Sequence, residues 1–284
     1  MIQTKTLLVA IFTFLSLYFT AQSQRFAYEY VFVKDSTKMN DKESELMYLD
    51  VSKKGSKFFS QKREIADSLH LEIVKNQNKD FSGIDYGLVV YVVEKSYPDF
   101  KINLFDNLDM SKYKISDNRK MDWKILSEKE TIGDLNAQKA TCNFAGRTWT
   151  AWFVSDIPIQ DGPYKFNGLP GLIIKIEDKT KSHSFVLKEI KKLRSDQEWK
   201  SDGEKKSFNA IIAIDQEKYK KQFKDNRENP TKGMRQMMSG GNKIMMIDEK
   251  GKPLDIEEMM RDMEKNAKAN NDKNNNVLEL ELLQ

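Results

Sequence analysis

The chain is predicted to be mainly β, an antiparallel meander or partly open barrel with a C-terminal helical, methionine-rich appendage. Three observations lead there. Between Arg25 and Ile190 apolar residues recur with a period of two, as in half-buried strands. Turn residues separate many of these runs, and no long helical pattern intervenes, which suits hairpin-connected neighbours. After Arg194 the spacing becomes helical, and eight of the 13 methionines fall between Met234 and Met263.

Residues 1–23 have the layout of a cleavable export leader. Lys5 is the one charge before the apolar run Leu7 to Thr20, and Ala21-Gln22-Ser23 supplies small residues for a peptidase, so cleavage is expected before Gln24. A membrane anchor needs about 20 apolar residues, more than this run has. With no cysteine after the run to carry lipid, a free periplasmic or extracellular product is expected.

Residues 24–193 are assigned to the antiparallel β domain. Phe26, Tyr28, Tyr30 and Phe32 define its first strand. Runs follow at Leu46–Val51, Lys57–Ser60, Leu88–Glu94, Phe100–Phe105, Lys114–Ser116, Trp123–Leu126, Gln138–Phe144, Thr148–Val154, Leu172–Glu177 and His183–Ile190. Lys62 to Asn76, with Ile65, Leu69, Leu71 and Val74, suits a helix or an irregular crossover. Residues 194–267 read as a helical and hairpin region. Helices are predicted over Asp215–Asn226, where Tyr219 and Phe223 form a narrow stripe, and over Thr231–Met238 and Ile256–Ala269. A hairpin is expected between them at Lys243–Asp255. Residues 268–276 (KANNDKNNN) have the composition of a mobile linker, and residues 277–284 alternate apolar and acidic side chains like an edge strand.

Charge and composition exclude several classes of function. Lys and Arg total 47 and Asp and Glu 43, so there is no strong field to gather nucleic acid or an anionic membrane. The single cysteine, Cys142, precludes an internal disulfide and shares a strand face with Ala140 and Phe144, which marks it as an inert buried thiol. His70 and His183 are the only histidines, and neither lies in a metalloprotease, serine-hydrolase or cysteine-nucleophile pattern. No catalytic residues are assigned; a hydrolase site assembled at long range is the third-ranked alternative.

The most informative stretch is Trp123 to Ile173. Gln138–Phe144 and Thr148–Val154 pair as a hairpin through Gly146-Arg147, which puts Trp149 and Trp152 on opposite faces of one strand. Asp156 to Pro163 contains two prolines and cannot continue a central strand, so it must form a fixed connection. Gly168-Leu169-Pro170-Gly171 turns the chain into the strand that begins Leu172-Ile173, and no Lys-Ser/Thr pair follows to make it a phosphate loop. An architectural role is therefore expected for Gly168 to Ile173. Arg147, Trp149, Trp152 and Asp161 are the ligand-binding candidates, because a charge near indoles can stack or recognise a carboxylate.

These residues resemble the GLPGLI family of exported Bacteroidota proteins. The resemblance is carried by Lys139, Ala140, Cys142, Gly146-Arg147, Trp149, Ala151-Trp152-Phe153, Ile157-Pro158, Asp161-Gly162-Pro163-Tyr164 and the hexapeptide Gly168 to Ile173. Asn275 to Leu280 is similar to the family's terminal NNPIEL-like segment, with Val277 in place of proline. The resemblance implies export and a β-rich fold. It implies no reaction.

The reading that follows is an exported, non-enzymatic envelope protein that contacts an outer-membrane or envelope partner or an apolar ligand, with no cofactor. The methionines carry a second reading. Met234, Met237 and Met238 share one helix face, as do Met260 and Met263, and thioethers are soft ligands for Cu(I). Flexible packing along apolar faces explains the same residues without metal.

Overall fold

The computed structural model describes residues 23–77, 80–194, 197–204, 210–239 and 255–284. The leader before Ser23, the expected hairpin at 243–254, and Met245 and Met246 lie outside the described residues.

Among the described residues, twelve strands form one sheet. They are β1 (Gln24–Val33), β2 (Lys42–Ser52), β3 (Gly55–Ser60), β4 (Val92–Ser96), β5 (Ile102–Leu108), β6 (Ser111–Asp117), β7 (Lys124–Ile132), β8 (Leu135–Phe144), β9 (Arg147–Val154), β10 (Leu172–Asp178), β11 (His183–Lys192) and β12 (Ile212–Asp215). Their order is β12-β6-β5-β4-β3-β2-β1-β11-β10-β9-β8-β7. The sheet is thus two consecutive meanders, β1 to β6 and β7 to β11, joined where β1 pairs antiparallel with β11 along Gln24↔Lys192 to Phe32↔His183. It does not close into a barrel. β12 is the exception to the antiparallel pattern, lying parallel to β6 through Ile212↔Tyr113 to Asp215↔Ser116.

The alternation of β1 has the expected cause. Phe26, Tyr28, Tyr30 and Phe32 are buried with Met47, Leu49, Phe58, Leu104, Ile115, Ala151, Phe153 and Phe185 in a single core cluster. Ala140, Cys142 and Phe144 share it. β7 is mostly exposed and carries Lys124, Glu128, Lys129 and Glu130, charges that protect this edge of the sheet from pairing with another chain.

Helix α1 (Gln61–Lys75) resolves the choice between helix and crossover at Lys62 to Asn76. Ser60 caps it by accepting from the Lys62 N–H at 3.1 Å. Its buried residue is Ala66, whereas Ile65, Leu69, Leu71 and Val74 stay exposed. Helices α2 (Gln216–Glu228), α3 (Lys232–Ser239) and α4 (Ile256–Lys273) follow the predicted helical spacing. Tyr219 is the buried residue of α2, and its hydroxyl donates to Asp106 at 2.5 Å.

Two expectations at the C-terminus are corrected. The linker expected at 268–276 is helical through Lys273, because Arg227 donates to the carbonyls of Asn271 and Asn274 and Asp255 caps the N-terminus of α4. The expected edge strand at 277–284 is instead a strap ending in a 3-10 turn, Leu280–Leu283, held by buried charges.

Candidate functional site

The connection after β9 follows from its composition. Pro158, Pro163 and Pro170 remove three donors and keep it out of the ladder. It folds back onto the buried face of the sheet: Ile173 N–H donates to the Asp161 carbonyl at 2.9 Å, Leu172 N–H to Ile157 at 3.1 Å, and Gly168 N–H to Gln160 at 3.0 Å. Tyr164, Phe166 and Leu169 sink into the core, with Phe166 edge-on to Trp149 at 4.7 Å.

A fully buried lysine pins this connection. Lys95 of β4 donates to the carbonyls of Gly162 at 2.7 Å, Tyr164 at 2.9 Å and Phe166 at 3.3 Å, and pairs with the equally buried Asp161. The Tyr97 hydroxyl donates to the other Asp161 oxygen. Burial pushes the Lys95 ammonium below its ordinary value, and Asp161 opposes that shift. Asp161 is therefore an anchor of the connection.

A second buried lysine ties the connection to the C-terminal strap. Lys165 donates to Asp117 at 2.8 Å and to Glu279. Arg119 bridges the same two acids, at 2.6 Å and 2.8 Å. Glu279 also accepts from the Tyr164 hydroxyl at 2.5 Å and the Gln216 amide at 2.8 Å. Burial by itself would raise both carboxyls, but the cations outweigh it and hold Asp117 and Glu279 below the usual range.

Arg147, which opens β9, clasps the strap from the other side. Its guanidinium donates to Asp178 at 3.0 Å, Asn276 Oδ1 at 2.7 Å, and the carbonyls of Val277 at 2.6 Å and Leu278 at 3.0 Å. The Gly146-Arg147 pair and the terminal Asn-rich segment are thus one contact. Arg147 does not serve the indoles; the cation over Trp152 is Lys175, 4.4 Å from the ring. Trp149 is buried, its indole N–H donating to Phe144 O at 3.1 Å, whereas Trp152 sits on the other face beside Lys175. The two indoles therefore serve opposite faces of β9, as predicted.

His183 is equally occupied. A carbonyl can only accept, so Nε2 donates to Asn276 O at 2.9 Å and Nδ1 accepts from the Tyr30 hydroxyl at 2.7 Å. Burial, aided by the nearby Arg147 cation, pushes its pKa down to about 3. A neutral imidazole with both nitrogens engaged offers no general base. A small cleft of about 230 Å³ reaches both His183 and Asp106, yet Asp106 accepts from Tyr219. The Cys142 thiol is pushed up to about 12, chiefly by burial.

The larger cleft lies elsewhere. It has a volume of about 970 Å³ and is floored by Phe26, Val51 and Ile190 on β1, β2 and β11. One wall is the connection, Asp156 to Gln160, and the other is Tyr97, Pro98 and Phe100 in the β4–β5 turn. The anchor under the first wall and the side chain in the second are bonded directly, since Tyr97 donates to Asp161. The prolines of DIPIQDGP signalled a fixed connection and Pro98-Asp99 marks the opposing turn, but nothing local in the sequence sets the two against each other.

The described methionines of α3 and α4 do not line this cleft. Arg235 of α3 pairs with Glu257 and Glu264 of α4, so the two helices are tied by charge. Met260 is buried, Met234 and Met238 are half-buried, and Met237 and Met263 are exposed.

Fold and site together define an open, mainly antiparallel sheet with one face plugged by a Pro- and Gly-rich connection and a C-terminal strap. Residues 144–175, from the end of β8 into β10, match the family model described as "Protein of unknown function (Porph_ging)", a family found in Bacteroidota. That match covers the heart of the GLPGLI-like stretch. No curated protein matches the chain. Two solved structures of PNGF-II, in space groups C2 and P21, are similar to it with TM-scores of 0.49 and 0.47 and 20% identity. Each covers 72% of this chain, which spans 33% or 34% of theirs.

Proposed function

We propose that the chain is a non-catalytic binding protein of the bacterial envelope that holds an apolar ligand in the cleft between Asp156–Gln160 and Tyr97–Phe100. The observation that carries the reading is the cleft's construction: its walls are held by the Tyr97–Asp161 bond, and its lining is largely apolar. Ligand pockets of about 300–1,000 Å³ with apolar walls and a few polar groups have this form. The absence of catalysis in the proposal is supported by His183, whose ring is neutral and fully engaged. Export rests on the leader-like residues 1–23.

The test is titration with a neutral fluorescent hydrophobe, N-phenyl-1-naphthylamine. Wild type should bind it, and Ile190→Glu should abolish binding without moving the unfolding midpoint, since Ile190 is 44% exposed. Absence of binding to wild type, or equal binding by the variant, refutes the reading. A protein partner is a second occupant to consider, at a different surface. Ile65, Leu69, Leu71 and Val74 on α1 are each at least 41% exposed, an apolar face of the kind that marks contact sites.

A further inference from the structure

We infer that the ligand of the large cleft is a single-chain amphiphile with a carboxylate head, a fatty-acid-like molecule. This rests on the reading that the cleft binds an apolar group, and it specifies what that group is attached to.

The first argument is charge at the rim. Lys53, in the β2–β3 turn, and Lys192, at the end of β11, both line the cleft, and neither forms an ion pair or side-chain hydrogen bond with the described residues. Asp156 is the one acid lining the cleft, and it too has no ion pair among the described residues. The rim is therefore net positive and its ammonium groups retain their donors, a setting suited to an anionic head.

The second argument is what the interior refuses. A peptide brings an amide at every residue, and each amide buried without a partner costs free energy. Extended peptides avoid that by adding to a free sheet edge. The floor strands β1 and β2 are paired on both sides and open no ladder to the cleft, while β11 pairs with β1 as far as Lys192 and with β10 over Ser184 to Val186. Ile157, Ile159 and Ile190, with the edge of Val51, instead present carbon to the ligand. An alkyl chain asks for nothing else, and it leaves its one polar end at the rim beside Lys53 and Lys192.

The experiment displaces bound N-phenyl-1-naphthylamine with dodecanoate, dodecanol and dodecylamine, each below its micelle concentration and at low salt. Dodecanoate should displace best and dodecylamine worst. Shortening the acid to decanoate should weaken it by roughly fourfold per CH₂ removed. The double variant Lys53→Glu, Lys192→Glu should weaken dodecanoate about tenfold while leaving the neutral hydrophobe bound as before. If the hydrophobe binds but dodecylamine competes as well as dodecanoate, or the double variant binds dodecanoate unchanged, the inference falls and the apolar-ligand reading stands. If the hydrophobe does not bind at all, both fall.

Discussion

Replacing Gly171 by alanine tests whether the hexapeptide acts through the fold. Gly171 has φ of +154°, and a Cβ there would sit 2.2 Å from the carbonyl oxygen and 2.6 Å from the carbonyl carbon of Val154. These are backbone atoms at the end of β9, the strand whose register with β10 begins at Leu172↔Val154. Neither side can yield without opening that pairing. Gly168 is the internal control. Its φ is also positive, +91°, yet a Cβ there would meet nothing nearer than Trp123 at 3.9 Å. Gly168→Ala should therefore cost only the left-handed penalty, about 1–2 kcal/mol. Gly171→Ala adds an overlap of the size that costs about 1–3 kcal/mol in overpacked cores, for a total of about 2–5 kcal/mol. Against a typical stability of about 5–15 kcal/mol, this is a large fraction. Denaturant unfolding followed by tryptophan fluorescence reads both variants, with Trp149 reporting from the adjoining core. A Gly171→Ala protein within about 0.5 kcal/mol of wild type, or no less stable than Gly168→Ala, would refute the close-approach argument. An unchanged midpoint with lost ligand binding would make the hexapeptide a recognition loop.

Three further outcomes are expected. Arg147→Met leaves Asp178 buried without its guanidinium and frees the strap; it should cost about 3–5 kcal/mol and expose residues 274–284 to carboxypeptidase, and an undigested tail would count against the clasp. Stability should fall as the pH drops below 6.5. His183 is depressed to about 3 in the fold, so the unfolded chain takes up its proton first and the native state loses about 1.4 kcal/mol per pH unit between those values. Asp117 and Glu279, depressed below their ordinary 3.8 and 4.5, keep their stabilisation above those values and lose it as the pH falls further. His183→Gln should flatten the limb between pH 6.5 and 4.5, and an unchanged slope would reject the assignment. Native Cys142 should resist a thiol reagent at pH 8 and react fully once denatured, whereas rapid native labelling would contradict its burial.

The sequence by itself determined the strands whose faces differ. Phe26, Tyr28, Tyr30 and Phe32 announce β1 because one face of that strand is buried and a period of two records it. The same logic placed Trp149 and Trp152 on opposite faces and set the prolines of Asp156 to Pro163 outside the ladder. Where burial does not follow the pattern, the pattern misleads or falls silent. β12 is mostly exposed, and its parallel partner β6 lies about a hundred residues earlier, so no local signal marks it. Ile65, Leu69, Leu71 and Val74 suggested the helix, yet only Ala66 is buried. The acidic alternation after Asn276 read as a solvated edge strand because Glu279 looks like a surface residue. It is buried, and Lys165, Arg119 and Tyr164 make that tolerable. Arg147 and Asp161 were expected as ligand-binding candidates, and the structure places both in buried contacts within the fold. Their partners, Asn276 and Lys95, come from elements 129 and 66 positions away, and only the tertiary structure decided that they hold the fold together. Local chemistry writes periodicity and turns into a chain. The pairing of buried charges and the walls of a cleft are set by which distant elements meet, and one sequence holds no record of that meeting.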